Sequence, residues 1–310
     1  MSESDKNHAV GVSRSERVLV VGAGPVGYIL ARDLAAAGFP LRHWSRSRGA
    51  LWEEAEQKQS VDVVILAVRD DAITQAARFI VEHGAADQRS VLLHCAGALP
   101  PLEVFAEEAT RVKGRGLLHP LRSFVEGIEE SDSAAATMSD GKPPMALHGT
   151  VMALGGDDAG LEMANKLCAA LGGVPLPLSP EQQGAYHAAA VMAAGHVAAL
   201  LDVATHVLSS IGLHRPAAER ALSGLTRSVT YNIERLGLPA ALSGPFARGD
   251  AATVARHLSA LSATSAEAEA VYRGLCASAL DLAYRKGAAS PQSLDRIAEL
   301  LFPREKPEKR

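Results

Sequence analysis

Arg17-Val18-Leu19-Val20-Val21-Gly22-Ala23-Gly24-Pro25-Val26-Gly27 decides how the rest of the chain is read. A short β-branched run leads into Gly-x-Gly-x-x-Gly and then into YILARDLAAAG, whose apolar residues recur at helical spacing. In this order each glycine has a task. Gly22 permits the tight turn out of the strand, Gly24 lets backbone approach a pyrophosphate, and Gly27 lets the helix pack on the strand. The helix N-terminus then faces the phosphates. Gly22, Ala23, Gly24, Pro25, Val26 and Gly27 are therefore the expected dinucleotide loop, with a plain structural turn as the alternative.

The end of the second strand selects the cofactor. An NAD-preferring site usually carries Asp or Glu there for the ribose 2′-hydroxyl. This chain reads His43-Trp44-Ser45-Arg46-Ser47-Arg48. Ser45, Arg46 and Ser47 suit a 2′-phosphate, which a guanidinium holds by forked, charge-assisted hydrogen bonds. A basic surface loop is the plainer alternative. NADP(H) is the expected cofactor. The further motifs that FAD proteins usually carry are not found.

Beyond the loop, residues 17–178 alternate strand-like and helix-like segments. Strands are expected at 18–21, 41–44, 61–68, 91–95, 116–119 and 146–154, and helices near 26–37, 70–82, 101–108 and 161–171. The nearly continuous apolar run VDVVILAV suits a strand covered on both faces. Such alternation specifies an α/β, Rossmann-type, doubly wound parallel sheet. After Pro180 the strand signal stops. Residues 182–210 read as one long helix, followed by helices at 216–236, 250–261, 265–286 and 291–301. The expected organisation is a tail (1–16), a nucleotide-binding domain (17–178), an all-helical domain (179–302) and a charged tail (303–310).

Composition bounds the function. The 310 residues are 47% hydrophobic and only 4% aromatic, with 56 alanines, so the core is built from small side chains on helices. A net charge of −4 argues against a nucleic-acid or anionic-membrane binder. Three cysteines without CxxC spacing fit a reducing cytoplasm, with neither a disulfide scaffold nor a structural zinc site. The polar start is neither a signal peptide nor an anchor. Residues 185–201 are apolar but alanine-dominated and end at Asp202, so they read as a buried helix rather than a membrane span. No metal site is expected.

Ligands of a doubly wound sheet lie beyond the carboxyl ends of its strands. Ala67, Val68, Arg69 and Asp71 follow the third strand and should run past the cofactor ribose and diphosphate. His94, Cys95, Ala96 and Gly97 end the next and should approach the nicotinamide. His119 ends the one after. Reduction of a carbonyl needs a positioned acid, and a histidine with its ordinary pKa of about 6.5 suits neutral pH. Arg248, in the glycine-containing loop that starts at Ser243, has the fork to clamp a carboxylate, and Arg122 is a second candidate. Asn232 and His257 are further candidates to reach a substrate.

The phrases GAGPVGYILARDLAAAG, LAVRDDAI, HCAGAL, GLLHPLRSF, YHAAAVMAAGHVAALL and ALSGPFARGDAATVARHLSAL together resemble a bacterial family of Rossmann-like proteins with a C-terminal domain of unknown function. That family is grouped with NADP-dependent oxidoreductases of the ketopantoate reductase and pyrroline-5-carboxylate reductase type. The resemblance covers residues 17–301. It implies a helical domain like that of 6-phosphogluconate dehydrogenases, an active site between the domains, and a homodimer. His119-Pro120 is similar to a turn of prephenate dehydrogenases. Ketopantoate reductases put a lysine near the start of the first long helix of the second domain. Here no lysine lies between Lys166 and Lys286, so His187 becomes the candidate for that role. The chain departs from the family at Arg69, Ala96 and Gly195, where Pro, Ser and Asn are usual.

The expected function is NADPH-dependent reduction of a small 2-oxo acid, with His187 and His119 as proton donors. A cyclic imine reductase, a prephenate-like dehydrogenase and a non-catalytic NADP(H)-binding protein are the alternatives.

Overall fold

The computed structural model describes residues 15–45, 60–126 and 145–302. Chain contacts divide it into two units, Met1–Val191 and Met192–Arg310.

The first unit holds strands β1 (Val18–Val21), β2 (Leu41–Trp44), β3 (Val63–Leu66), β4 (Val91–His94), β5 (Gly114–Pro120), β6 (Val151–Gly156) and β7 (Val174–Pro177). Its helices are α1 (Pro25–Ala36), α2 (Ile73–Glu82), α3 (Pro101–Val104), α4 (Asp158–Ala170) and α5 (Pro180–Ala193). The sheet order is β2-β1-β3-β4-β5-β6-β7. Strands β1 to β5 are parallel, as expected. The sheet is not parallel throughout, however, because β6 runs antiparallel to β5 and β7 follows β6 in parallel. β7 has no counterpart in the sequence reading. It contains two prolines and is exposed along its length, and only an edge strand tolerates that.

Alternation along the strands builds the two cores. Val18, Val20, Val63, Ile65, Val91 and Leu93 face α1 and α4, while Leu19, Val21, Val64, Leu66 and Leu92 face α2 and Phe105. Glycines let α4 lie directly on β5: a Cβ on Gly114 would come within 2.7 Å of the Ala159 methyl. Asp157 caps α4 through Gly160 N (2.9 Å) and also accepts from Arg115 N of β5 (3.0 Å).

The second unit contains α6 (Gly195–Ser210), α7 (Arg215–Leu236), α8 (Gly244–Arg248), α9 (Ala251–Thr264), α10 (Ala266–Lys286) and α11 (Pro291–Leu301). Asp250 and Ser265 cap α9 and α10 by accepting from Thr253 N and Ala268 N. Its core joins Phe246, Val254, Leu258, Cys276, Leu280, Leu294 and Ile297 from α8 to α11.

Two sequence expectations are corrected. The single helix over 182–210 is two helices, interrupted at Ala194 before Gly195. Residues 185–201 are not buried: Val191, Met192 and Leu200 are exposed. Alanine-rich spacing is the same whether a neighbouring element covers the helix or not, and among the described residues almost nothing does. The stretch Pro180–Ser210 is long and apolar enough to cross a membrane by length and composition. The break at Ala194 divides it into legs of 14 and 16 residues.

Candidate functional site

The switch in strand order lies between β1 and β3, where the chain leaves β2 on one side of β1 and resumes on the other. The glycine loop occupies this point. Gly22 has φ +142°, and a Cβ there would run into the Ala67 carbonyl that follows β3. A Cβ on Gly27 would meet Gly22 O at 2.6 Å. Both glycines are thus accounted for by the chain's own backbone. Gly24 is not. Among the described residues, nothing beyond its chain neighbours lies within 4 Å of where its Cβ would stand, and it is the N-cap of α1 with no side-chain oxygen to offer. An uncapped helix N-terminus opening on free space fits an anionic group such as a pyrophosphate. Ala23 is exposed, and Pro25 and Val26 are half-buried beside it.

β2 braces the loop. His43 Nε2 donates to Gly22 O at 2.7 Å, and Gly22 N donates to Trp44 O at 2.9 Å. The role of His43 is not legible from sequence, because it depends on a cross-strand neighbour 21 residues away. Ser45 is buried at the end of β2, whereas Arg46 and Ser47 lie outside the described residues. After β3, Ala67 and Val68 are half-buried, while Arg69 and Asp71 pair with each other in solvent at 3.3 Å.

The ends of β4 and β5 bring histidines together. His94 is fully buried against Phe105, and its Nδ1 accepts from Ala96 N at 3.2 Å. That fixes hydrogen on Nε2, which is buried without a partner. Burial, and then His119, lowers its pKa to about 3, so His94 is a neutral brace of the Cys95-Ala96-Gly97 turn. The Cys95 thiol is pushed up to about 12 by burial and stays protonated.

His119, His187 and Tyr186 meet over Gly97. A Cβ on Gly97 would lie 2.8 Å from His187 Nδ1 and 3.0 Å from His119 Nε2. His119 Nδ1 is 2.7 Å from the Tyr186 hydroxyl, and the His119 and His187 rings stand edge to face with centroids 6.0 Å apart. The two histidines named from sequence are therefore neighbours, and both belong to the first unit. The sequence reading set His187 at the start of the second domain. Its α5 turn instead packs against the β4 and β5 ends. One chemical expectation is overturned. His119 does not keep the ordinary histidine pKa; burial, and then His187, lowers it to about 4, so the ring is neutral at pH 7. Burial also pushes Tyr186 up to about 12. Tyr186 was passed over as a reacting group. The dipeptide Tyr186-His187 was its only signal.

The remaining candidates have other surroundings. Arg122 donates to Ala146 O at 2.5 Å, which occupies part of its fork. In the second unit Arg248 and Ser243 are exposed at the two ends of α8, and Asn232 is exposed on α7. His257 Nδ1 lies 3.0 Å from the Tyr272 hydroxyl. Among the described residues no group of three or more His, Cys, Asp or Glu side chains is placed to hold a metal.

The profile of a domain of unknown function (DUF2520) matches residues 150–279. No curated protein matches the sequence. Protein TM1727 from Thermotoga maritima is similar over 87% of this chain and 99% of its own, with TM-score 0.63 and 22% identity. Protein BF3122 from Bacteroides fragilis gives the same coverage with TM-score 0.62 and 17% identity. A reductive aminase from Aspergillus terreus, solved with NADPH and ethyl levulinate, is similar over 92% of this chain and 99% of its own, with TM-score 0.53 and 14% identity. Residues 150–279 thus resemble DUF2520, and the chain shares with these structures a Rossmann-type sheet followed by helices.

Proposed function

We propose that this chain is an NADPH-dependent reductase of a small 2-oxo acid, with ketopantoate the first compound to try. The observation that carries the reading is Gly24, whose missing side chain leaves open space before an uncapped helix at the switch point of the sheet. Gly22 to Gly27 would hold the pyrophosphate, and Ser45, Arg46 and Ser47 the 2′-phosphate. His119 and His187 would serve proton transfer, and Arg248 the substrate carboxylate. NADPH in the Aspergillus terreus protein of like fold is in keeping with this cofactor.

A cyclic imine is the second reading, favoured by one observation: His94, His119 and Tyr186 are all neutral near pH 7, so the pocket would not repel a protonated imine. NADPH oxidation measured against 2-oxo acids and cyclic imines separates the two. Turnover of neither, with NADPH bound tightly, would make the protein a binder rather than an enzyme. The cofactor has its own test. Replacing Arg46 and Ser47 with alanine should weaken NADPH binding at least tenfold and leave NADH binding within about twofold, since charge-assisted phosphate contacts are worth roughly 1.5–3 kcal/mol. Equal loss for both cofactors would remove the 2′-phosphate assignment.

The protein's partner in this reading is a second copy of itself. α7 is 22 residues long with Ala218 alone buried, and its Leu225, Val229, Tyr231, Ile233 and Leu236 are exposed. Its uncovered apolar face is one that a second copy would bury. Replacing Leu225 and Val229 with glutamate should convert a dimer to a monomer in light scattering at micromolar concentration. A wild-type protein that is already monomeric would count against the dimer.

A further inference from the structure

We propose that Tyr186 supplies the proton for His119 and fixes its tautomer: the tyrosine hydroxyl donates to Nδ1, hydrogen therefore sits on Nε2, and the neutral ring passes it to the substrate oxygen. The inference rests on the reductase reading above and adds a residue and a direction of proton flow to it.

Three observations carry it. The hydroxyl lies 2.7 Å from Nδ1, and the rings stand edge to face at 89° with centroids 5.6 Å apart, an arrangement that holds the imidazole at one angle. The opposite nitrogen, Nε2, faces Gly97, where the lack of a side chain keeps the end of β4 clear beside it. On that same glycine sits His187 Nδ1, which is buried and has no hydrogen-bond partner. A polar reactant at this point would satisfy a nitrogen that the chain leaves unsatisfied.

The relay is needed because an imidazolium is not available. The titratable groups around His119 are His94 from the end of β4 and Tyr186 and His187 from α5, and none is an anion that would favour a charged ring. With its pKa held at about 4, His119 carries one hydrogen at pH 7 and has no second one to give. A neutral ring still transfers a proton if it gains one at Nδ1 as it loses one at Nε2.

NADPH held at the glycine loop would supply the hydride to the carbonyl carbon. The carbonyl π pair moves to oxygen, which takes the hydrogen of His119 Nε2 as that N–H bond breaks. Nδ1 takes the Tyr186 proton, so the ring ends neutral in its other tautomer. The exchange closes when Nδ1 returns its proton to the phenolate and Nε2 takes one from water, the hydroxide so formed being neutralised by solvent. Tyr186, at about 12, remains a stronger acid than water at about 15.7, so a basic alkoxide draws the proton downhill.

Tyr186→Phe tests the proposal in two independent ways. Histidine ¹⁵N spectra of the cofactor-free protein at pH 7 should show His119 neutral with hydrogen on Nε2, and the Nδ1 resonance should move in Tyr186→Phe. Hydrogen on Nδ1 in the wild type would overturn the proposal even if the enzyme proves active. In turnover, the wild-type rate should be flat from pH 5 to 9. In the variant only the imidazolium can donate, so the rate at pH 8 should fall about 10²–10⁴-fold and climb again as pH drops toward 4. A variant rate within threefold of wild type with an unchanged pH profile would overturn it as well. Failure to bind NADPH at all would sink the reductase reading, and the ¹⁵N result would still decide the hydrogen bond.

Discussion

Gly24→Asp should abolish NADPH binding, with at least a 100-fold rise in Kd, and leave the melting temperature unchanged or higher. Gly22→Ala, two residues away, should instead lower stability by about 3 kcal/mol or more. The contrast follows from what each missing side chain faces. At Gly24 nothing among the described residues lies within 4 Å, and an aspartate at the N-cap of α1 is a favourable cap, so the fold accepts it. The carboxylate then occupies the space and cancels the positive helix end that would receive a pyrophosphate. At Gly22 the backbone has φ +142° and a Cβ would overlap the Ala67 carbonyl. The cost of forcing an L-residue into that conformation adds to the cost of overpacking between β1 and β3. Thermal unfolding and fluorescence titration with NADPH measure both. Unaltered NADPH affinity in a folded Gly24→Asp protein would remove the assignment of this loop.

Gly97→Ala should cost about 10²-fold in kcat while shifting stability less than about 1 kcal/mol. The added methyl would stand 2.8 Å from His187 Nδ1 and 3.0 Å from His119 Nε2, closer than side chains pack. Both contacts are at ring edges on long side chains, which can swing aside more cheaply than backbone. The fold therefore survives, but His119 leaves its alignment with Tyr186, and displacement of about 1 Å at a reacting group costs on the order of 10²-fold. Undiminished kcat in Gly97→Ala would show that the histidine pair over this glycine has no part in the reaction. A lowered melting temperature in thermal unfolding would point instead to general disruption of the β4 end.

The legible parts of the fold were those written in near neighbours. Strand β1, the glycines and α1 lie within 20 residues and each specifies the next, and β2 matched its sequence boundaries to the residue. Strand β6 was found but not its direction, because an antiparallel pairing is set by where the chain returns and leaves no mark on the strand's own alternation. β7 was missed because VPLP becomes a strand only by pairing with β6. At the site, His119 and His187 were picked out by residue type, whereas Tyr186 gained its meaning only from a contact 67 positions away.

By itself, then, the sequence determined the doubly wound sheet, the helical second half and the strand–glycine–helix turn that opens the sheet. Those follow from periodicity and from glycines whose constraints are local. The tertiary structure alone decided which histidines meet, that His94 and His119 stay neutral at physiological pH, and that α5 turns Tyr186 toward β5. Desolvation and hydrogen bonding depend on every element packed around a group, and no stretch of chain carries that information on its own.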